Sequence, residues 1–300
     1  MKGPSRGRLS SRGRRYMYFL LLVSPAILLR ILTAVYPVLK TLQLSLYDVN
    51  LMRQSHHFIG LRNFQQLFKD LNNRDVFVFT MAFILISVVF QLILGMLIAT
   101  LLNANFRGRQ LVRTVNLIPW AIPTIVAGLA FRWMLDDQYG LITDVVCRLT
   151  ANRPEFLIYP FTARLWVILV NVWKNTPFVA VVLLAGLQSV PPELYEAARI
   201  DGASKFKSFR HITMPFSISL IVTLGLFFFI WQLANFDLIL GMTHGGPGVA
   251  TTVISYTIFQ QGMLWYNWGM ASALGVVLLL IVAVAGMLGL YLFRRYDITI

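Results

Sequence analysis

Glu196-Ala197-Ala198-Arg199-Ile200-Asp201-Gly202-Ala203 lies in a polar loop between two long apolar stretches, Leu165 to Leu187 and Phe216 to Leu240. A hydrophilic segment held between two membrane-length runs belongs at a membrane surface, and its residues suit a peg for another protein. Ser189 can cap a short helix that Pro191 and Pro192 open, because the amide hydrogens missing from a first turn have no partner to lose. Glu193 and Glu196 then stand about one turn apart on one face. Ala197 and Ala198 favour the helix with almost no bulk, so a second surface can approach its backbone closely. Asp201-Gly202 supplies the stop, since glycine takes the left-handed conformation of a helix terminus. A second short helix is expected after Ser204 and before Pro215.

The rest of the chain is built for lipid. Of its 300 residues 57% are hydrophobic and 13% charged, with a mean hydropathy of +0.69, more apolar sequence than a water-soluble domain of that size needs. Nearly uncharged stretches run Tyr16 to Tyr36, Val76 to Leu102, Thr114 to Phe131, Leu165 to Leu187, Phe216 to Leu240 and Met270 to Phe293. At roughly 20 residues per crossing they predict an all-α polytopic membrane protein with about six transmembrane helices. Pro25, Pro119, Pro123 and Pro177 fall inside or at the edge of these stretches and predict kinked or interrupted helices. Between the first two, Tyr47 to Asp75 is expected to form short amphipathic helices carrying Phe58, Leu61, Phe64 and Leu67.

The net charge of +14 sorts by membrane side rather than marking a nucleic-acid partner. With an even number of spans, one side holds Lys2, Arg6, Arg8, Arg12, Arg14 and Arg15, then Arg107, Arg109 and Arg113, then Arg199, Lys205, Lys207 and Arg210, and finally Arg294 and Arg295. That side is the cytoplasm. The expected organisation is a basic cytoplasmic tail over 1–15, one transmembrane domain over 16–293 that contains the polar loop 188–215, and a cytoplasmic C-terminus over 294–300. Tyr16 to Tyr36 is too long for the core of a cleavable signal and reads as a retained span. Cys147 is the lone cysteine, which excludes an internal disulfide and a thiolate metal cluster. No Ser/His/Asp or paired-carboxylate constellation lies within the spans, so no catalytic or metal-binding residue is expected.

From Glu196 to Pro215 the chain reads E-A-A-x-x-D-G-A-x-x-x-x-x-F-x-x-I-x-x-P. This resembles the EAA loop of the membrane subunits of ABC importers, the surface on which a separate ATPase pushes. Further blocks are similar to the carbohydrate-uptake, maltose-transport-type branch of these binding-protein-dependent permeases: Phe58 to Phe64, Phe106-Arg107-Gly108-Arg109 through Pro119-Trp120, Tyr139-Gly140-Leu141, Asn171 to Phe178, and Phe236-Asp237 through Gly248. The resemblance implies a type I ABC importer permease fold and a sugar, an oligo- or disaccharide, as cargo across the cytoplasmic (inner) membrane of a bacterium or archaeon. It also implies a second, related permease forming a heterodimer, two ATPase subunits and an external solute-binding protein. Glu193, Glu196, Ala197, Ala198, Asp201, Gly202 and Ala203 would form the ATPase-coupling set. The chain has no G-x-x-x-x-G-K-[ST] loop, so ATP and Mg belong to the partner ATPase and this chain is not expected to be an enzyme. It lacks the extra N-terminal spans and the large external insert of the bigger maltose-type subunits, which leaves docking of the external protein to smaller loops.

Sugars need amides for their hydroxyl groups and aromatic faces for their rings. The fourth stretch supplies Asn171, Trp173, Asn175 and Phe178, and the fifth supplies Trp231, Gln232 and Asn235. By position relative to Glu196, Asn171, Trp173 and Phe178 match the sugar-contacting helix of the family, and Gln232 and Asn235 match on the next. Intramembrane amides also bind helices to each other. Lys174 costs at least about 2.5 kcal/mol at mid-membrane and must face protein or water. Asp237 is its nearest candidate partner in sequence, and contact with an anionic or phosphorylated sugar stays open. The alternatives are a related permease for another solute, such as a glycerol-phosphate derivative or an amino acid, and an ion-coupled secondary transporter. The latter commonly carries deep carboxylates and matched halves, absent here, and the Gly245-Gly246-Pro247 block favours sugar.

Overall fold

A computed structural model describes residues 11–295. The basic residues Lys2, Arg6 and Arg8 and the last residues of the C-terminus lie outside them. Helix α1 (Ser11–Arg30) passes through a π-helical turn (Ile31–Val35) into α2 (Tyr36–Leu44), and together they hold the first membrane-length helix, Met17–Leu44. It exposes Leu22, Leu29, Leu32 and Leu39 along its length, as a lipid-facing helix does. The helix continues eight residues beyond the apolar stretch because Pro37 sits just after the widened turn, where Tyr36 N–H already reaches back to Ile31 O.

The next segment corrects the expectation of helices alone. Strands β1 (Tyr47–Asn50) and β2 (Ser55–Phe58) form an antiparallel hairpin, with Tyr47 opposite Phe58, before α3 (Arg62–Lys69). Phe58 is therefore in a strand and Leu61 precedes the helix; only Phe64 and Leu67 ride on it. The cause is local. Asn50 Oδ1 accepts the N–H groups of Met52 and Arg53 at 3.0 and 3.1 Å, closing a turn that a helix would not contain.

Asp70 caps α4 (Leu71–Asn103) by accepting Asn72 N–H at 2.9 Å. The third apolar stretch then breaks into α5 (Arg109–Asn116), α6 (Ile118–Ala121) and α7 (Thr124–Met134), with an 87° bend between the 109–121 and 124–134 portions. Pro123 accounts for the break, since it cannot donate and disfavours a helical residue before it. Among the described residues five helices are long and apolar enough to cross a membrane, or six with the bent pair taken as one span. Pro25 and Pro177, by contrast, lie inside continuous helices.

After α8 (Leu141–Thr150) the chain enters α9 (Pro160–Gln188), then α10 (Pro192–Ile200) and α11 (Lys205–Ser208) in the polar loop. A second π-helical turn (Phe209–Thr213) leads directly into α12 (Met214–Ala234), so the expected stop before Pro215 does not occur. Met214 N–H reaches back to Phe209 O and the helix continues through the proline as it does at Pro37. The fifth span ends at Ala234, earlier than the hydropathy suggested. Asn235 turns extended and α13 (Asp237–Met242) packs on α7 as a separate helix. A loop, α14 (Ile254–Phe259) and α15 (Trp268–Arg295) complete the described residues.

Helices α4, α9 and α12 make the core, where Phe83, Ile84, Val167, Leu183, Leu224 and Phe228 are buried together. The α4–α9 approach depends on Gly95: a methyl group there would come within 2.6 Å of a Val179 methyl. Close packing at a small residue is the main attraction available between helices in a bilayer.

Candidate coupling surface and translocation path

Helix α10 is stopped by a hydrogen-bonded left-handed cap. Gly202 has φ +73°, Gly202 N–H donates to Arg199 O at 3.1 Å and Ala203 N–H donates to Ala198 O at 2.8 Å, which is the Schellman arrangement. At the other end the expected cap is replaced. Ser189 belongs to the end of α9, where its Oγ donates to Gly186 O at 2.7 Å, and α10 opens on Pro191 and Pro192 without a side-chain cap. Ser204 does cap α11, accepting Lys207 N–H at 3.3 Å.

Glu193, Glu196, Ala197, Asp201 and Gly202 are exposed, and Ala198 and Ala203 are half-buried. The face also presents Ile200, 87% exposed, and Phe206, 70% exposed. These two were not singled out in the sequence, though two large apolar side chains in a charged loop were a readable signal. The loop is tied to the membrane body by Tyr195 Oη and Thr213 Oγ1 at 3.0 Å. Beneath it a cavity of about 420 Å³ opens between α10, α11 and the ends of α4 and α9. Among the described residues, α10 is thus joined to the start of α12 by the Tyr195–Thr213 contact and the short α11 connection.

In the membrane core four amides meet. Asn171 Nδ2 donates to Gln232 Oε1 at 2.6 Å, Gln232 Nε2 donates to Gln91 Oε1 at 3.1 Å, and Gln91 Nε2 donates to the Asn171 carbonyl at 3.2 Å. Asn175 Nδ2 donates to Asn171 Oδ1 at 2.9 Å. All four are buried, and the ring joins α4, α9 and α12. Gln91 is the member that sequence reasoning missed. It is the one amide in the nearly uncharged stretch Val76 to Leu102, and that was the available signal. Asn235 stands apart from the ring at the end of α12, half-buried, and its Oδ1 has no partner.

Aromatic side chains line the neighbouring side. Trp173 is 41% exposed and meets Phe131 edge to face at 5.1 Å. Phe178 stacks on Trp120 at 5.0 Å, and Trp231 stacks on Phe227. Lys174 is buried, as its charge required, and Nζ donates to the carbonyl oxygen of Trp120 at 3.2 Å. That carbonyl lies in the last turn of α6, where the break at Pro123 leaves acceptors without helical donors. Asp237 is not the partner. It is exposed at the start of α13, and the ion pairs among the described residues are His57–Asp48 and Arg148–Asp144.

The match to known proteins follows the same geometry. Residues 91–298 fit the family of binding-protein-dependent transport system inner membrane components. The chain is 36% identical over 270 residues to the trehalose/maltose transport system permease protein of Thermococcus litoralis, covering 87% of this chain and 88% of that one. It is 37% identical over 259 residues to the sulfoquinovosyl glycerol transport system permease protein of Agrobacterium fabrum, covering 86% and 84%. Its fold is similar to a chain of the bacterial alginate ABC transporter in complex with alginate pentasaccharide-bound periplasmic protein, with a TM-score of 0.84 at 23% identity over 96% of this chain and 98% of that one. With an EAA loop that ends in a glycine cap and a helical body matched over most of its length, the chain belongs to the binding-protein-dependent transport system inner membrane component family.

Proposed function

We propose that this chain is the permease subunit of an ATP-driven importer that carries a sugar across the cytoplasmic membrane, with both termini and α10 on the cytoplasmic side. The observation that carries the reading is the exposed face of α10, where Glu193 and Glu196 precede the small Ala197 and Ala198 and exposed Ile200 follows, a surface suited to a separate ATPase. A second, related permease and an external solute-binding protein complete the assembly. Sugar as cargo rests on the two relatives, named for trehalose/maltose and sulfoquinovosyl glycerol transport, and on the amides and aromatic faces gathered in the core.

The closed amide ring has a direct reading in transport. Each amide carries donors and an acceptor, as a sugar hydroxyl does, so hydroxyl groups can replace amide partners at small net cost. When α10 is displaced, α9 and α12 separate; Asn171, Asn175 and Gln232 exchange one another for sugar, with Asn235 at the end of α12. Trp173 and Phe178 supply ring faces, while Lys174 stays on Trp120 O. The rival reading makes the ring a helix clamp alone, favoured by Asn171 being only 1% exposed. Sugar uptake into proteoliposomes by the full complex separates them. Asn171→Ala leaves Gln232 Oε1 without its donor and should cost about 1 to 3 kcal/mol of thermal stability, yet the complex that assembles should show lower uptake at limiting sugar; unchanged sugar dependence in the assembled complex would leave only the clamp.

A further inference from the structure

A polar cup of about 220 Å³ lies on the membrane side opposite the coupling loop. Arg53, Arg62, Gln66, Asn267, Asp48 and His57 line it. Among the described residues neither guanidinium has a hydrogen-bond or ion-pair partner, whereas Asp48 is engaged by His57 at 3.5 Å. The cup thus holds two unpaired guanidinium groups and one acid already engaged by an imidazole. Its walls are fixed. Asn63 Nδ2, in the buried floor, donates to Ser45 O and Tyr47 O, both at 2.9 Å, and Leu51 N–H donates to Tyr266 O at 3.1 Å.

Its position names the ligand class. The hairpin begins at Tyr47, just after the first span ends at Leu44, and Asn267 directly precedes Trp268, where the last span begins. Both attachments hold the cup in the headgroup layer, roughly 5 to 7 Å thick on each side of the hydrocarbon. Trp265, Tyr266 and Trp268 beside it are exposed, in the manner of interfacial aromatic residues. We propose that this cup binds the phosphate of a phospholipid headgroup in the leaflet opposite the coupling loop. Arg53 and Arg62 grip the phosphate oxygens, Gln66 and Asn267 offer amide hydrogens, and the acyl chains run down past the aromatic rim.

The test uses the full chain purified in a polyoxyethylene detergent, with dihexanoyl phosphatidylglycerol as probe and native mass spectrometry as readout. One saturable lipid is expected, and Arg53→Gln with Arg62→Gln should weaken it by about tenfold or more, two charge-assisted contacts being lost. Asp48→Asn, which removes the acid, should tighten it, so the proposal stays testable if the double variant unfolds. Equal lipid binding by wild type and the double variant would overturn the proposal. Inorganic phosphate should compete only weakly; occupancy as tight as the lipid's would make this a free-anion site instead. Undiminished lipid binding with loss of sugar-stimulated ATP hydrolysis in the variant complex would assign the cup to protein docking and end the lipid reading.

Discussion

Gly202 offers the sharpest test of coupling because the chain itself leaves the position open. No atom lies within 4 Å of where a Cβ would stand, and the backbone has φ +73°. Gly202→Ala therefore carries only the left-handed backbone penalty, about 1 to 2 kcal/mol. Gly202→Asn costs less, since asparagine visits that region readily. Within this chain the penalty loosens the cap of α10 by roughly five- to thirtyfold, a local effect that leaves the buried core untouched. Gly202→Asp differs in kind. It adds a carboxylate beside Asp201 on the face that would be covered, and burying an unpaired charge costs several kcal/mol, at least about a hundredfold in docking affinity. Retention of the ATPase during purification, and sugar-stimulated ATP hydrolysis in proteoliposomes, should fall in the order glycine, asparagine, alanine, aspartate. Thermal unfolding of the permease and sugar binding by the external protein should stay at wild-type values. A Gly202→Asp complex with full ATPase retention and full sugar-stimulated hydrolysis would refute the docking-peg reasoning.

Three further outcomes are expected. Lys174→Met removes a buried charge that has only a carbonyl partner, so the complex should unfold at or above the wild-type temperature; Asp237→Asn should add independently, with a coupling energy below about 0.5 kcal/mol in a double-mutant cycle. Gln91→Leu leaves Gln232 Nε2 and one lone pair of Asn171 O unpaired in the core and should cost about 1 to 3 kcal/mol by chemical unfolding, whereas an apolar replacement of all four ring amides should recover most of that loss while abolishing uptake. Trp173→Ala removes one edge-to-face pair, worth about 0.5 to 1.5 kcal/mol; assembly should survive, and uptake at limiting sugar should drop, as measured with radiolabelled substrate.

Features governed by neighbours in the chain were legible before any coordinates. Six apolar stretches announce their helices because desolvating a backbone leaves the helix as the local solution. A second short helix after Ser204, Gly202 as a stop and Pro123 as a break are statements about one or two turns, and each holds in the structure, whereas Ser189, read as the cap of α10, ends α9 instead. The misreadings lie where local signals compete. Pro215 looked like a terminator, but a π-helical turn just before it keeps the helix going. Spaced apolar side chains from Phe58 to Leu67 looked helical, but Asn50 closes a turn and the hairpin takes the first of them.

The sequence by itself thus determined that the chain is a multi-span membrane protein with a short polar helix between two spans, and that Lys174 must be buried away from lipid. Only the tertiary structure decided who meets whom. Gln91 and Gln232 are 141 positions apart and Asn171 and Gln232 are 61 apart, yet they share one ring. Lys174 takes a backbone carbonyl 54 positions away and not the carboxylate of Asp237, 63 positions away. The physical reason is that an intramembrane polar group must take whatever partner helix packing brings within about 3 Å, and that distance is set by the shapes of α4, α9 and α12 together rather than by any spacing along the chain.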